Sequence, residues 1–169
     1  MRSANLKTYK PSHSNVQSTS KEDIYQLLLA QLNSLLDDDV DYIANTANFC
    51  AAIQQNFHFH WVGLYRVMGE ELVLSAFQGP TACTRIPFGR GVCGQAWEEK
   101  KTLIVGDVHS HPNHITCSAL SQSEIVVPLF DSHGNVKAVL DIDADIVNAF
   151  DTLDKDYLEE CVALLAKYY

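Results

Sequence analysis

The sequence predicts an α+β fold, an antiparallel β-sheet flanked by α-helices, and two patterns carry that prediction. Apolar residues recur at helical spacing over residues 24–35 and 157–168. Between them lie short runs of alternating apolar and polar residues, punctuated by Gly, Pro, Asn and Asp. The order helix, helix, several strands, loop, hairpin, helix predicts an antiparallel sheet with helices on one side.

Residues 1–18 mix Ser, Asn, Lys and Pro with little apolar content and read as a mobile tail, leaving residues 19–169 as one domain. Thr19 or Ser20 caps the first helix, with Glu22 and Asp23 at the positive end of its dipole. Ile24, Leu27, Leu28, Leu32 and Leu35 form its apolar stripe. The acidic break Asp37-Asp38-Asp39 precedes a second helix over residues 42–56, with Ile43, Ala47 and Cys50 on its apolar side.

Residues 60–67 are β-rich, and a turn at Gly69 leads into a second strand over residues 72–77. Trp61, Gly63 and Tyr65 share one face of the first strand, Val62 and Leu64 the other. Two aromatics flanking a glycine fit either core packing or a small apolar box, with Gly63 leaving room between the walls. Gly89-Arg90-Gly91-Val92-Cys93-Gly94 fits the dinucleotide-binding pattern of glycines. The preceding Arg85-Ile86-Pro87-Phe88 is a poor buried strand and no βαβ unit surrounds the match, so the glycines read as a turn into a short helix through Gln95, Ala96 and Trp97. Cys93 then sits near a helix N-terminus, where a thiolate is favoured. Residues 102–105 form a short strand ending near Asp107. Asp151 or Thr152 caps a final helix with Tyr157, Leu158, Cys161, Leu165 and Tyr168 on one face. Asp154 and Asp156 lie at its N-terminal end and Lys167 at its C-terminal end, as the dipole prefers.

A formal net charge of −9, from 12 basic and 21 acidic residues, argues against nucleic acid and anionic membrane surfaces as partners. The longest apolar run, residues 125–130, falls far short of the roughly 20 residues a bilayer demands. The first twenty residues lack the apolar segment of a signal peptide, so the expected location is the cytoplasm. Five cysteines there do not form a disulfide framework. Cys50 and Cys161 fall on apolar helix faces and read as small core residues.

The chemistry concentrates between His109 and Asp143. A loop reading His109-Ser110-His111-Pro112-Asn113-His114-Ile115-Thr116-Cys117-Ser118 carries a cysteine, and the hairpin after it carries Glu124, Asp141 and Asp143. Asp141 and Asp143 share a face about 6.6 Å apart along their strand. A four-residue connection, Ser132-His133-Gly134-Asn135, sets Glu124 opposite Asp143 and Val126 opposite Asp141. Three carboxylates in one pocket do not all ionise cheaply, so at least one holds a proton near neutral pH. The competing reading is a solvated acidic face. His109, His111, His114 and Cys117 match no standard zinc spacing. Asp141, Asp143 and Asp145 open like a calcium loop, but Ile146 and Thr152 replace its Gly and closing Glu. Neither a metal nor a cofactor is expected.

Gly79-Pro80-x-Ala82-Cys83-x-Arg85-Ile86, Gly89-x-Gly91-Val92-Cys93-Gly94, Asp107-Val108, His114-Ile115-x-Cys117, Ser123-Glu124-Ile125-Val126 and Leu140-Asp141-Ile142-Asp143 together resemble the GAF-domain free methionine-(R)-sulfoxide reductases. The resemblance runs from Ile24 to the C-terminus and implies a GAF-like, PAS-related sheet. Residue by residue, Cys117 resembles the catalytic cysteine, Cys83 its principal resolving partner and Cys93 a further redox cysteine. Glu124, Asp141 and Asp143, with Asp107 nearby, match the substrate-binding acids, and Trp61 and Tyr65 the aromatic walls around the substrate methyl group. Ser118 departs from the Asp usual after the catalytic cysteine.

The implied activity is reduction of free L-methionine-(R)-S-oxide through a Cys117 sulfenic acid and an intramolecular disulfide, with thioredoxin as reductant. A homodimer is among the assemblies the resemblance allows. Two rival readings are a non-catalytic GAF sensor binding a small ligand, which requires Cys83 and Cys117 to be inert and far apart, and a zinc-binding interaction module.

Overall fold

A computed structural model of the chain describes residues 20–112 and 119–169. The expected tail, over residues 1–18, lies outside them. Ser20 begins α1 (Lys21–Leu35) with a capping box: its hydroxyl accepts the Asp23 amide at 3.1 Å while the Asp23 carboxylate accepts the Ser20 amide. Of the expected stripe, Leu28 and Leu32 are fully buried, but Leu27 is 63% exposed and Tyr25 takes the inner position instead. Asp41 caps α2 (Tyr42–Phe57), which buries Phe49, Cys50 and Ile53. Ile43, expected on its inner side, points to solvent.

The strands are β1 (Trp61–Met68), β2 (Glu71–Gln78), β3 (Arg85–Pro87), β4 (Leu103–Val105), β5 (Ser123–Phe130) and β6 (Val136–Ala144). They form one antiparallel sheet in the order β3-β2-β1-β6-β5-β4. The segment discounted as a buried strand is the short edge strand β3. The remaining helices are α3 (Gly91–Glu99) and α4 (Thr152–Ala166).

Alternation along the strands divides the core in two. Val62, Leu64, Ile125, Val127, Leu140 and Ile142 pack against α1, α2 and α4. Trp61, Tyr65, Val126 and Val139 pack against Val92, Cys93 and Ala96 of α3. Helices therefore cover both faces, not one. The reason lies in β1, which carries Trp61 and Tyr65 on one side and Val62 and Leu64 on the other and so needs two covers.

The expected hairpin register is present, with Glu124 opposite Asp143 and Val126 opposite Asp141. The turn differs from the expected four residues. An irregularity between Leu129 and Phe130 pairs Phe130 with Val136 and leaves residues 131–135 as the connection. The Asp131 carboxylate accepts the amides of His133 and Asn135 there, each at 2.9 Å.

One polar knot joins the helices. Asp154, fully buried, accepts the Tyr25 hydroxyl at 2.8 Å and the Asp151 amide at 2.7 Å, and pairs with Lys21. Asp154 was legible as a dipole partner of α4 but not as the centre of this knot, whose side-chain partners Lys21 and Tyr25 lie near residue 20. Replacing it with Ala strands a buried hydroxyl and removes the half of the α4 capping box that accepts the Asp151 amide. Asp154→Ala should cost about 3 kcal/mol and Tyr25→Phe about 1 kcal/mol, read from urea unfolding midpoints.

Candidate active site

Three strands and one helix converge on a single buried cluster. One row across the sheet runs Trp61, Asp143, Glu124, Val105, each paired with the next. The adjacent row runs Gly63, Asp141, Val126. Because side chains repeat every second residue, Asp141 and Asp143 emerge on the α3 side with Glu124. α3 lowers Cys93 onto them, with its sulfur 3.9 Å from Glu124 Oε1. The Cys93 sulfur and one oxygen each from Glu124 and Asp141 all lie within 4.8 Å of one another. All three residues are buried, and Asp141 Oδ1 has no hydrogen-bond partner. The solvated-face reading therefore fails for Glu124 and Asp141.

Burial pushes the Glu124 carboxyl well above its ordinary range, and the neighbouring Asp141 and Asp143 charges push it further. Asp141 rises for the same two reasons, burial and then the Asp143 charge, with Cys93 and Glu124 pulling the other way. Asp143, less deeply placed, is raised by burial to about 6 and held back by Ser121 and His60. Ser121 and His60 were not foreseen as site residues. Their signal was positional, since His60 precedes Trp61, the strand partner of Asp143.

Cys93 overturns an expectation. It is the third residue of α3, near the N-terminus as foreseen, yet its thiol is driven well above the ordinary range. Burial is the largest cause, followed by the Asp141 and Glu124 charges. A helix terminus offers about 0.3–1 kcal/mol to an anion. Desolvating a charge costs several kcal/mol, so the thiol form wins.

The aromatic residues also act differently from a hollow box. The Trp61 indole folds back over Gly63, where an added Cβ would stand 2.2 Å from the ring. It stacks between Tyr65, at 5.9 Å, and Phe77, at 5.5 Å. Gly63 thus makes room for Trp61 itself and leaves no gap between two walls. The polar ends of both rings hold the following loop: Trp61 Nε1 donates to the Pro80 carbonyl and the Tyr65 hydroxyl to the Cys83 carbonyl, each at 3.0 Å. Cys83 is disulfide-bonded, whereas Cys50, Cys93 and Cys161 are free thiols. Cys50 and Cys161 are buried on the opposite side of the sheet, as core residues.

Asp107 follows β4 by two residues and is exposed. Its carboxylate caps the short 3-10 turn Val108–Ser110, accepting the His109 amide at 2.9 Å and the Ser110 hydroxyl at 2.8 Å. Ser110 first, then His109, draws its carboxyl below the usual range. Cys117, His114 and Ser118 lie outside the described residues.

The GAF domain family model matches residues 18–167. The chain is 53% identical over 151 residues to GAF domain-containing protein A of Dictyostelium discoideum, covering 89% of this chain and 95% of that one. It is 38% identical over 164 residues to a free methionine-R-sulfoxide reductase of Saccharomyces cerevisiae, covering 92% and 91%. A crystal structure of the free methionine-R-sulfoxide reductase of Neisseria meningitidis in complex with its substrate superposes with a TM-score of 0.86 at 50% identity, covering 90% and 92%. The chain belongs to the GAF-domain free methionine-R-sulfoxide reductases.

In this reductase the crowded acids leave a mark on stability. In the unfolded chain each carboxyl ionises near its ordinary value, about 4. The folded state holds those protons more tightly, so their contribution is complete below that value and is lost as pH rises through the folded values. For Asp143 the window runs from 3.8 to about 6. Asp143→Asn should therefore raise the melting temperature at about pH 8 and leave it little changed at about pH 4, as read by paired thermal melts.

Proposed function

We propose that this chain reduces free L-methionine-(R)-S-oxide to L-methionine, with Cys117 as nucleophile. The observation that carries the reading is a buried cluster of three carboxyls whose hold on protons is raised by burial and by one another's charge. A sulfoxide sulfur yields to a thiolate only as its oxygen takes up a proton, because oxide is a poor leaving group. The Cys117 thiolate attacks the substrate sulfur while a Glu124 or Asp143 carboxyl protonates the departing oxygen. The attack joins the Cys117 sulfur to the substrate sulfur. The protonated oxygen then passes to the Cys117 sulfur as that sulfur–sulfur bond breaks, leaving a Cys117 sulfenic acid and releasing methionine. The Cys83 thiol displaces water from that sulfenic acid, forming a disulfide, and a dithiol such as thioredoxin reduces it by exchange.

The geometry supports parts of this sequence. The disulfide at Cys83 supports a redox role for that cysteine, and the free, buried thiols of Cys50 and Cys161 support a packing role for theirs. Trp61 and Tyr65 tether the Cys83 loop while presenting ring edges and faces to the same side as the acids. Cys93 joins disulfide exchange only once its burial is relieved, since its thiol is raised where it stands. Among the described residues no helix is long and apolar enough to cross a membrane, and a thioredoxin-dependent cycle suits the cytoplasm.

Acids left ionised at the site attract the ammonium of a free amino acid. Methionine inside a polypeptide has lost that charge to an amide, which accounts for a free substrate. Two outcomes follow in a thioredoxin-coupled turnover assay. Cys117→Ser should lower the rate on the free R epimer by at least about 100-fold. N-acetylation of the substrate should lower kcat/KM by about 10-fold or more. Undiminished turnover by the serine variant would remove Cys117 as the nucleophile, and absence of turnover by the parent would favour the sensor reading. Equal rates on the acetylated compound would remove the ammonium account.

A further inference from the structure

The donor atoms that make the acid cluster also make an incomplete metal cage. Cys93 offers a sulfur, Glu124 and Asp141 an oxygen each, from α3, β5 and β6. In a tetrahedral zinc site, with bonds of about 2.3 Å to sulfur and 2.0–2.2 Å to oxygen, donors stand roughly 3.3–3.6 Å apart. The sulfur of Cys93 and Glu124 Oε1 are 3.9 Å apart, and all three donors lie within 4.8 Å. Closing to metal distances takes a contraction of roughly 1 Å, which carboxylate torsions can absorb.

A second observation points to a ligand. Asp141 is 7% exposed; Cys93 and Glu124 hydrogen-bond its carboxylate, yet its Oδ1 has no partner. A buried acceptor left without a donor is costly, and native proteins rarely keep one without a purpose.

We propose that Cys93, Glu124 and Asp141 bind one thiophilic divalent cation, Zn²⁺ or Cd²⁺, leaving the fourth coordination position to water or to an incoming ligand. The mixed thiolate and carboxylate set selects such ions over Mg²⁺ and Ca²⁺. Binding displaces the protons that the three groups hold, so affinity rises with pH. The groups facing the same space are Asp143 from β6 and Tyr65 from β1, with His60 beside Asp143. Asp143 adds attraction for the ion once ionised. The bound cation occupies the place proposed for the substrate ammonium, so it inhibits turnover competitively. That last consequence rests on the proposed reaction, whereas binding does not.

The full chain, reduced and stripped of metal, is titrated with Zn²⁺ against a chromophoric chelator and with Co²⁺ by absorption. The expected result is one ion per chain, a sulfur-to-cobalt charge-transfer band, and affinity rising about tenfold per pH unit for each proton displaced. Cys93→Ala should abolish the band, and Asp141→Asn should weaken Zn²⁺ at least about tenfold. The double variant His109→Ala/His111→Ala should bind as the parent does. Absence of stoichiometric binding would overturn the proposal. So would a band that survives Cys93→Ala, Zn²⁺ affinity unchanged in Asp141→Asn, loss of binding in the histidine variant, or Mg²⁺ binding as tightly as Zn²⁺. If binding holds and competition with methionine sulfoxide fails, the metal site stands and the assigned substrate position does not.

Discussion

The pairing of β5 with β6 is the constraint on which the rest depends. It sets Glu124 against Asp143 and puts Asp141 one step along the same face. A slip of one residue would turn Glu124 toward the apolar side covered by α1, α2 and α4 and turn Ile125 toward α3. The apolar partners Ile125, Val127, Leu140 and Ile142 forbid that slip, since each would leave a fully buried position. Burial of the hydrophobic face thus fixes the acids in a place that does not suit them electrostatically. The mismatch raises the hold of all three carboxyls on their protons.

The same competition explains Cys93. Position near a helix end argues for a thiolate, and burial beside carboxyls argues for a thiol. The second effect is several times larger, so α3 delivers a protonated sulfur to the cluster. Local motif and tertiary surroundings point in opposite directions here. The chemistry follows the surroundings.

The hairpin was readable because its information is local. A period of two, a short connection and charges on one face define partners without reference to the rest of the chain. The helix boundaries were readable for a similar reason, since Ser20 and Asp151 cap what they precede. What escaped depends on contacts across the chain. Tyr25 displaces Leu27 from the inner face because its hydroxyl meets Asp154, 129 positions away. α3 changes sides relative to the other helices because β1 is apolar on both faces, a feature that alternation alone understates. Gly63 was marked as special, correctly, but the occupant of its space is the chain's own Trp61. A sequence shows that room has been made and does not show for whom.

The tether between Trp61 and the loop of Cys83 has an optical consequence. The indole stacks on Tyr65 and Phe77 while its N–H holds the Pro80 carbonyl, three residues before that cysteine. Trp97, the other indole in the chain, lies edge-on to Phe88 on a different element. Emission from Trp61 should therefore respond to any displacement of the loop that carries Cys83, an unlabelled reporter set in the sheet.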